Sequence, residues 1–139
     1  MSALLHPGLA DCRRIFVREV VMDASIGIHP SERAAPQRVV LNVDLFVPLA
    51  LSTPIEDRID EVLDYDFVRT TIRQRVAAGH INLQETLVDD IARTLLAHPT
   101  VRAVRVVSEK PDVYEDVEAV GIEVFRFKTG SDTNSEPNA

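Results

Sequence analysis

Every second residue between positions 39 and 49 is aliphatic, and this pattern constrains the fold more than any other feature of the sequence. The aliphatic positions are Val39, Leu41, Val43, Leu45, Val47 and Leu49. Successive side chains of a β-strand point to opposite faces, so a period of two places all of them on one face. We therefore predict a strand over residues 37–51 in a sheet that has one face buried beneath another layer.

Three further segments have the composition of strands. Residues 14–24, 101–109 and 119–127 are rich in valine, isoleucine and phenylalanine and are bounded by polar or proline-containing stretches. Such β-branched and aromatic runs favour strands. Together with residues 37–51 they predict a four-stranded antiparallel sheet.

Two helices are predicted between the second and third strands. The first begins near Tyr65 behind a capping Asp64, and the second begins at Asn82 and ends before Pro99. Their apolar positions recur at helical spacing, as Val68, Ile72 and Val76 in the first helix and as Leu83, Leu87, Ile91 and Leu95 in the second. The order ββααββ predicts an α+β fold in which both helices cover one face of the sheet.

The remaining segments set the expected domain organisation. Residues 1–12 show no periodicity and are expected to be a flexible lead-in, residues 13–128 one domain, and residues 129–139, which lack an apolar anchor, a disordered tail. Residues 25–36 contain Gly27, Pro30 and Pro36, which predict a loop without regular structure. Its polar side chains make that loop a candidate wall of a binding site.

Composition excludes several partners. A net charge of −7 and an aromatic content of 5% leave neither a basic stripe nor stacking platforms, so we expect no nucleic acid partner. The sequence has no apolar run of about 20 residues and no charged lead followed by an apolar stretch, so we expect no membrane partner and a cytoplasmic location. A single cysteine, Cys12, offers no internal disulfide.

The sequence lacks the common signatures of cofactor chemistry. None of the four histidines stands at metal-ligand spacing to another histidine or to the cysteine, so no metal site is expected. No nucleophile elbow, P-loop or dinucleotide-binding glycine motif occurs. Acid–base chemistry without a cofactor is the type of reaction that remains.

One acidic residue stands at a position suited to ligand binding. Glu85 follows Asn82 by three residues at the predicted start of the second helix, which is the spacing of a capping box. A helix start also presents unpaired N–H donors beside such a carboxylate, and this combination suits a flat heterocycle that has both acceptors and N–H groups. Taken alone, the residue leaves both interpretations open.

Three other candidates have equally ordinary alternatives. Lys110 ends a predicted strand before Pro111, where a lysine is usually solvated. Tyr65 lies in the first turn of a helix, where a packing role with the hydroxyl at the surface is the simplest interpretation. Glu32 lies in a polar loop, where a solvated charge is the default. These residues become informative only as a set.

The ordered set of motifs from residue 14 to residue 127 resembles the dihydroneopterin aldolase family. The residues that carry the resemblance are Ile26, Gly27, Ile28, His29, Pro30, Glu32, Gln37, Leu63, Asp64, Tyr65, Leu83, Glu85, Lys110, Pro111, Val120, Gly121, Ile122 and Glu123. The resemblance implies the tunnelling fold, in which four ββααββ subunits close one barrel and two rings stack into an octamer. An open sheet with two uncovered edges agrees with a homo-oligomer, either a tetramer or an octamer.

The resemblance also implies a substrate and the residues that bind it. Glu85 would hold the 2-amino group and ring N–H of a pterin, while the backbone at Leu83 and Gln84 would hold the pterin carbonyl. A carboxylate suits this donor pair because it accepts both hydrogen bonds at once. The expected partner is therefore a small pterin, 7,8-dihydroneopterin.

The implied reaction is a retro-aldol cleavage to 6-hydroxymethyl-7,8-dihydropterin and glycolaldehyde in folate biosynthesis. It needs neither a metal nor another cofactor, because the N5=C6 imine of the substrate accepts the electrons of the broken bond. The resemblance assigns the catalytic roles to Lys110, to the loop residue Glu32 and to Tyr65, which also contacts the substrate and comes from the neighbouring subunit. Lys110 would take the hydroxyl proton directly or through a water, and Tyr65 would relay a proton to the enamine carbon.

Two departures and two alternatives accompany this interpretation. Gln84 stands where the family usually has an aliphatic residue, and Pro36 stands where a glycine is common. One alternative is an epimerase of dihydroneopterin or its triphosphate, which breaks and re-forms the same bond. A triphosphate is disfavoured by the acidic residues Asp112, Glu115, Asp116 and Glu118. The other alternative is a ring that binds pterins without catalysis.

Overall fold

The computed structural model describes residues 3–129 and contains the predicted four-stranded antiparallel sheet. Its strands lie in the order β1-β2-β3-β4, and each pairs with the next one along the chain. The strands are β1 (Cys12–Ala24), β2 (Gln37–Pro48), β3 (Ala103–Lys110) and β4 (Val120–Phe127), and the helices are α1 (Pro30–Ala34), α2 (Asp66–Ala77) and α3 (Gln84–Leu96). The predicted α+β class and the position of α2 and α3 between the central strands are confirmed.

The hydrophobic core lies between one face of the sheet and these two helices. In β2 the alternating residues from Val39 to Val47 are at most 1% exposed. Helix α3 packs on β3 and β4, and α2 packs on α3 and β1. The helical side of the core is formed by Val68, Ile72, Leu87, Val88, Ile91, Ala92 and Leu95. The alternating residues of β2 and the helically spaced residues of α2 and α3 therefore pack together in one core. No helix of the described chain is long and apolar enough to cross a bilayer.

Strand β2 ends earlier than its aliphatic alternation predicts. Pro48 is its last residue, and Leu49–Leu51 form a 3-10 turn in which Leu49 is exposed. Proline has no N–H to donate to a sheet, so a strand tends to stop there. The prediction that Leu49 belongs to the buried face is therefore wrong.

The segment predicted to be a flexible lead-in forms two short 3-10 turns, at Ala3–Leu5 and Pro7–Leu9. Leu9 is fully buried and packs with Cys12, Phe46 and Ala103 on the sheet face opposite the helices. The burial of Leu9 thus fixes this segment against the sheet, although the segment has no hydrophobic periodicity that would predict it. Residues 130–139 of the predicted tail, which was expected to begin at residue 129, lie outside the described residues.

The segment predicted to lack regular structure contains a helix, α1, and that part of the prediction is wrong. Pro30 occupies its first position, where a missing N–H costs nothing because no acceptor is available there. The residue before the helix, His29, has an extended backbone, and its N–H donates to the carboxylate of Glu32 at 3.3 Å. The proline that signalled a break in the pattern is therefore the start of a helical turn.

The two longer helices start slightly later than predicted. Asp64 caps α2 as expected, since its carboxylate accepts from the N–H of Asp66 at 2.9 Å. Helix α3 begins at Gln84, and the capping box between Asn82 and Glu85, one of the two interpretations left open by the sequence, does not form. The side-chain oxygen of Asn82 accepts a hydrogen bond from Arg33 at 2.8 Å instead. A contact between residues distant in sequence thus displaces a local one.

Candidate active site

The connection after β1 and the connection before α3 run side by side. Ile26 and Ile81 form a parallel bridge, in which the N–H of Ile81 donates to Ser25 O at 2.9 Å and that of Gly27 donates to Ile81 O at 2.8 Å. The bond between Arg33 and Asn82 ties the same two connections together further along. This pairing brings α1 next to the first turn of α3.

Gly27 allows the chain to pass behind Glu32. Its φ angle is +127°, a conformation that residues with a Cβ rarely adopt. A Cβ at this position would overlap the Glu32 carboxyl group. His80 Nε2 lies 2.8 Å from Gly27 O and holds the turn from the other side. Glycine is therefore required both by the backbone and by the carboxylate in front of it.

Three polar side chains converge at the end of β3. The Lys110 ammonium donates to Glu32 Oε2 at 2.9 Å, and Gln37 Nε2 donates to the same oxygen at 3.0 Å. Gln37 also donates to Ile26 O at 2.7 Å, which fixes the orientation of its amide. Lys110 is only 8% exposed, so its charge depends on this one carboxylate partner among the described residues.

The Glu32 carboxylate is held in its ionised form. The hydrogen bonds from Gln37 and then from Lys110 are the main causes, and together they lower the pKa of Glu32 from 4.5 to about 2 against the opposing effect of burial. At neutral pH the site therefore contains an ionised carboxylate that accepts a hydrogen bond from the buried Lys110 side chain.

A cleft of about 310 Å³ lies in front of this cluster. It is lined by Gly27, Ile28, His29, Glu32, Asn82, Leu83, Gln84, Glu85, Lys110, Val113, Tyr114, Val120 and Ile122. Glu85 is exposed in the first turn of α3, and within residues 3–129 its carboxylate has no ion pair or hydrogen bond. The N–H groups of that turn precede the first intrahelical bond, which runs from Leu87 to Leu83 O. The cleft is thus lined by an exposed carboxylate beside unpaired helix-start N–H groups and by the buried Lys110 side chain.

The structure brings most of the predicted site residues to this cleft. Glu32, Leu83, Gln84, Glu85 and Lys110 all line it. Tyr65 does not, because it lies at the start of α2 with 64% of its surface exposed. Its contribution to the site of a neighbouring subunit stays a prediction.

Sequence reasoning missed several features of the cleft and its surroundings. Gln37, which does not line the cleft, was recognised as part of a motif, but its bond to Glu32 could not be foreseen. Val113 and Tyr114 form part of the wall, and their only signal is an apolar pair inside the acidic segment 112–118. Ser108, buried beneath the cleft, has no sequence signal because a serine in a strand is usually exposed.

The ββααββ order, with an exposed carboxylate at a helix start and a buried lysine at a strand end, is that of a tunnelling-fold protein. Such an arrangement can grip the polar edge of a flat ring and stabilise charge that develops beyond it. Among the described residues no group of three potential metal ligands lies close together.

Comparison with known proteins agrees with this class. The family model described as dihydroneopterin aldolase (FolB) matches residues 15–125. The chain belongs to the dihydroneopterin aldolase family, as its sequence motifs indicated. The family is enzymatic, and the matched relatives include both an aldolase and an epimerase.

Three relatives illustrate the range of similarity. A crystal structure of dihydroneopterin aldolase from Burkholderia thailandensis bound to guanine is 60% identical, with a TM-score of 0.84 over 91% of this chain and 99% of that one. The dihydroneopterin triphosphate 2′-epimerase of Pseudomonas aeruginosa is 29% identical over 85% of this chain and 93% of its own length. The E. coli dihydroneopterin aldolase in complex with neopterin is 21% identical, covers 82% of this chain and 98% of its own, and has a TM-score of 0.75, which supports the fold.

Proposed function

We propose that the protein is a dihydroneopterin aldolase that cleaves 7,8-dihydroneopterin into 6-hydroxymethyl-7,8-dihydropterin and glycolaldehyde. The observation that carries the proposal is the Lys110–Glu32 ion pair at 2.9 Å in the same cleft as the unpaired carboxylate of Glu85. The 60% identical Burkholderia protein, which bears this name, supports it. The activity is thus that of an aldehyde-lyase.

Substrate binding follows from the start of α3. The Glu85 carboxylate accepts hydrogen bonds from the 2-amino group and the adjacent ring N–H, which gives a bidentate, charge-assisted contact. The free N–H groups beside Leu83 and Gln84 donate to the pterin carbonyl. Guanine presents the same edge of donors and acceptor as a pterin, so the guanine bound by the Burkholderia relative is consistent with this mode.

The chemistry needs protons moved at three positions, the 2′-hydroxyl, N5 and C1′. The 2′-hydroxyl loses its proton and becomes the carbonyl of glycolaldehyde, while the electrons of the C1′–C2′ bond enter the N5=C6 imine and N5 gains a proton. The resulting enamine then takes a proton at C1′, and N5 releases its own, which restores the imine. The substrate thus supplies the electron sink itself.

The ion pair with Glu32 supports a role for Lys110 in charge stabilisation. As an ammonium it stabilises negative charge that develops at N5, and a water carries away the hydroxyl proton. The pKa of Glu32 is lowered to about 2, so its carboxylate stays ionised and holds the Lys110 side chain in place. Tyr65 of a neighbouring subunit relays the proton to C1′, which requires an oligomer in which clefts are shared between subunits. We propose a ring of four subunits or a stack of two rings.

The epimerase is the second candidate, because the Pseudomonas relative bears that name. The mouth of the cleft argues against a triphosphate substrate. The segment after β3 contains Asp112, Glu115, Asp116 and Glu118, all of them exposed, and only Asp112 has a cationic partner among the described residues, Arg38 at 3.3 Å. Negative charge at the mouth repels a triphosphate.

Product analysis tests the proposal. The purified protein is incubated with 7,8-dihydroneopterin in the presence of a chelator, and the pterins and glycolaldehyde are separated by chromatography. We expect catalytic release of glycolaldehyde in equal amount to 6-hydroxymethyl-7,8-dihydropterin. Accumulation of the 2′-epimer alone would favour the epimerase, and binding without any product would favour a non-catalytic ring.

A further inference from the structure

A buried hydrogen bond links the start of α3 to β3 directly beneath the cleft. The hydroxyl of Ser108 donates to Gln84 Oε1 at 2.9 Å. Ser108 is 0% exposed and Gln84 is 9% exposed. Polar groups buried to this degree cost free energy unless they are paired, and aliphatic side chains would fill the same space without that cost. The pair therefore invites a functional explanation.

The surroundings determine the orientation of the amide. Gln84 Nε2 faces Val120 O at 3.5 Å, and a backbone carbonyl can only accept. The amide oxygen must then face Ser108, whose hydroxyl donates. The side chain of Gln84 is thus oriented between β3 and β4 at the floor of the cleft.

The position of the pair relates it to the two charged groups of the site. Gln84 directly precedes Glu85, and Ser108 lies two residues before Lys110 on the same face of β3. The N-cap residue of α3, Leu83, makes no side-chain capping hydrogen bond. Within residues 3–129, Gln84 is the residue of the first turn that hydrogen-bonds to the sheet through its side chain.

We propose that Gln84 and Ser108 are positioning residues that fix the spacing between the Glu85 carboxylate and the Lys110 ammonium. The inference rests on the proposed aldolase function and deepens it. Glu85 holds the ring, and Lys110 must meet N5 of that ring. A displacement of about 1 Å between the two can cost on the order of a hundredfold in rate, while binding through Glu85 alone persists.

A double variant separates positioning from stability. Ser108→Ala alone leaves the Gln84 oxygen buried without a donor, so it lowers stability whatever the role of the pair. Gln84→Met combined with Ser108→Ala removes both polar groups and replaces them with apolar atoms. We expect the denaturant midpoint of the double variant to be close to that of the unmodified protein. Its kcat for 7,8-dihydroneopterin should nevertheless be lower than that of the unmodified protein, by about tenfold or more.

Guanine affinity provides the second measurement, and another buried serine provides the control. Guanine should bind the double variant within about threefold of the unmodified protein, because the Glu85 contact is retained. Ser52 is also buried, and its hydroxyl donates to Pro48 O at 2.8 Å away from the cleft. Ser52→Ala should lose stability and keep its kcat.

Each outcome decides one question. If the unmodified protein turns over dihydroneopterin and the double variant has the same kcat, the positioning role is overturned and the proposed aldolase function stands. A guanine affinity that falls as far as kcat would assign the pair to binding and overturn positioning as well. A failure of the unmodified protein to release glycolaldehyde would overturn the proposed function and the inference together.

Discussion

Single side chains at the cleft differ in what they contribute to folding and to chemistry. Glu32 is hydrogen-bonded on both of its oxygens and supports a buried cation, whereas Glu85 is exposed and has no partner among the described residues. The first residue should therefore affect stability as well as activity, and the second should affect binding alone. Substitutions of the two carboxylates can test this division.

Glu32 should make folding stability depend on acid pH. Its pKa in the folded protein, about 2, lies below the ordinary value of 4.5, so its stabilising contribution is complete above pH ~4.5 and is lost as the pH falls towards 2. The difference corresponds to about 3 kcal/mol. Unfolding free energies measured by denaturant titration from pH 6 to pH 2 should fall more steeply, by about that amount, in the unmodified protein than in Glu32→Gln. Parallel curves for the two proteins would contradict the assignment.

Glu85→Ala should leave stability unchanged within about 0.5 kcal/mol, because the side chain is exposed and unpaired within the described chain. Guanine binding, measured by calorimetry, should weaken by about tenfold to a hundredfold, since a charge-assisted bidentate contact is lost. Asp23→Ala, which removes an exposed carboxylate outside both the cleft lining and the acidic segment 112–118, is the matched control and should bind normally. Equal affinity of the two variants would show that the heterocycle binds elsewhere.

Helices, strands and their connections were predictable to the extent that their signals are local. The alternation in β2 and the apolar stripe of α3 follow from one segment of sequence each. Both appear in the structure except at one end, where Leu49 follows the strand and Leu83 precedes the helix, and both of these residues are exposed. The capping box at Asn82 was lost because Arg33, distant in sequence, takes its side-chain oxygen. The bulge in β1, where Glu19 has a φ of 60° and its N–H donates to Asn42, also depends on a partner strand.

The same distinction applies to the site. Glu32, Glu85 and Lys110 could be identified because their motifs resemble those of a family, and each motif is short. The amide of Gln37 and the Gln84–Ser108 pair could not, because each joins segments that only the fold brings together. Hydrogen bonds of this kind leave no periodicity and no fixed spacing in the sequence.

The connection between β1 and α1 offers a test with an internal control. Gly27 and Gly79 both have positive φ angles, but a Cβ meets the Glu32 carboxylate at Gly27 and nothing within 4 Å at Gly79. Gly79→Ala should lower the unfolding free energy by about 1–3 kcal/mol, because only the strained positive φ angle opposes the substitution. Gly27→Ala should lower the unfolding free energy by about a further 1–3 kcal/mol, because the new Cβ overlaps the Glu32 side chain. It should also reduce turnover, because Glu32 is displaced from Lys110. Equal unfolding free energies and equal kcat for the two variants would contradict this account.

The protomer as a unit presents an incomplete site if Tyr65 acts across subunits. Its exposed position at the start of α2, outside the cleft lining, is what such an arrangement requires. Lys110→Ala and Tyr65→Phe should each be inactive alone. Co-expressed in equal amounts, they should regain activity in roughly a quarter of the sites, those in which an intact lysine faces an intact tyrosine.

Mixing the separately purified variants without subunit exchange is the control for this complementation, and it should give no activity. Absence of recovery after co-expression, with mixed oligomers verified by mass spectrometry, would place Tyr65 in the same subunit as Lys110 or outside the reaction. Recovery would also establish that the protein functions as an oligomer.

The most direct test of the central claim is the rate of glycolaldehyde release by Lys110→Ala at saturating 7,8-dihydroneopterin, with guanine affinity measured on the same sample. Lys128→Ala, which alters a lysine that bonds to His98 O away from the cleft, serves as the control. We predict a loss in rate of about a hundredfold or more for Lys110→Ala, guanine binding within about threefold, and normal turnover for Lys128→Ala. Undiminished glycolaldehyde release by Lys110→Ala would contradict the account.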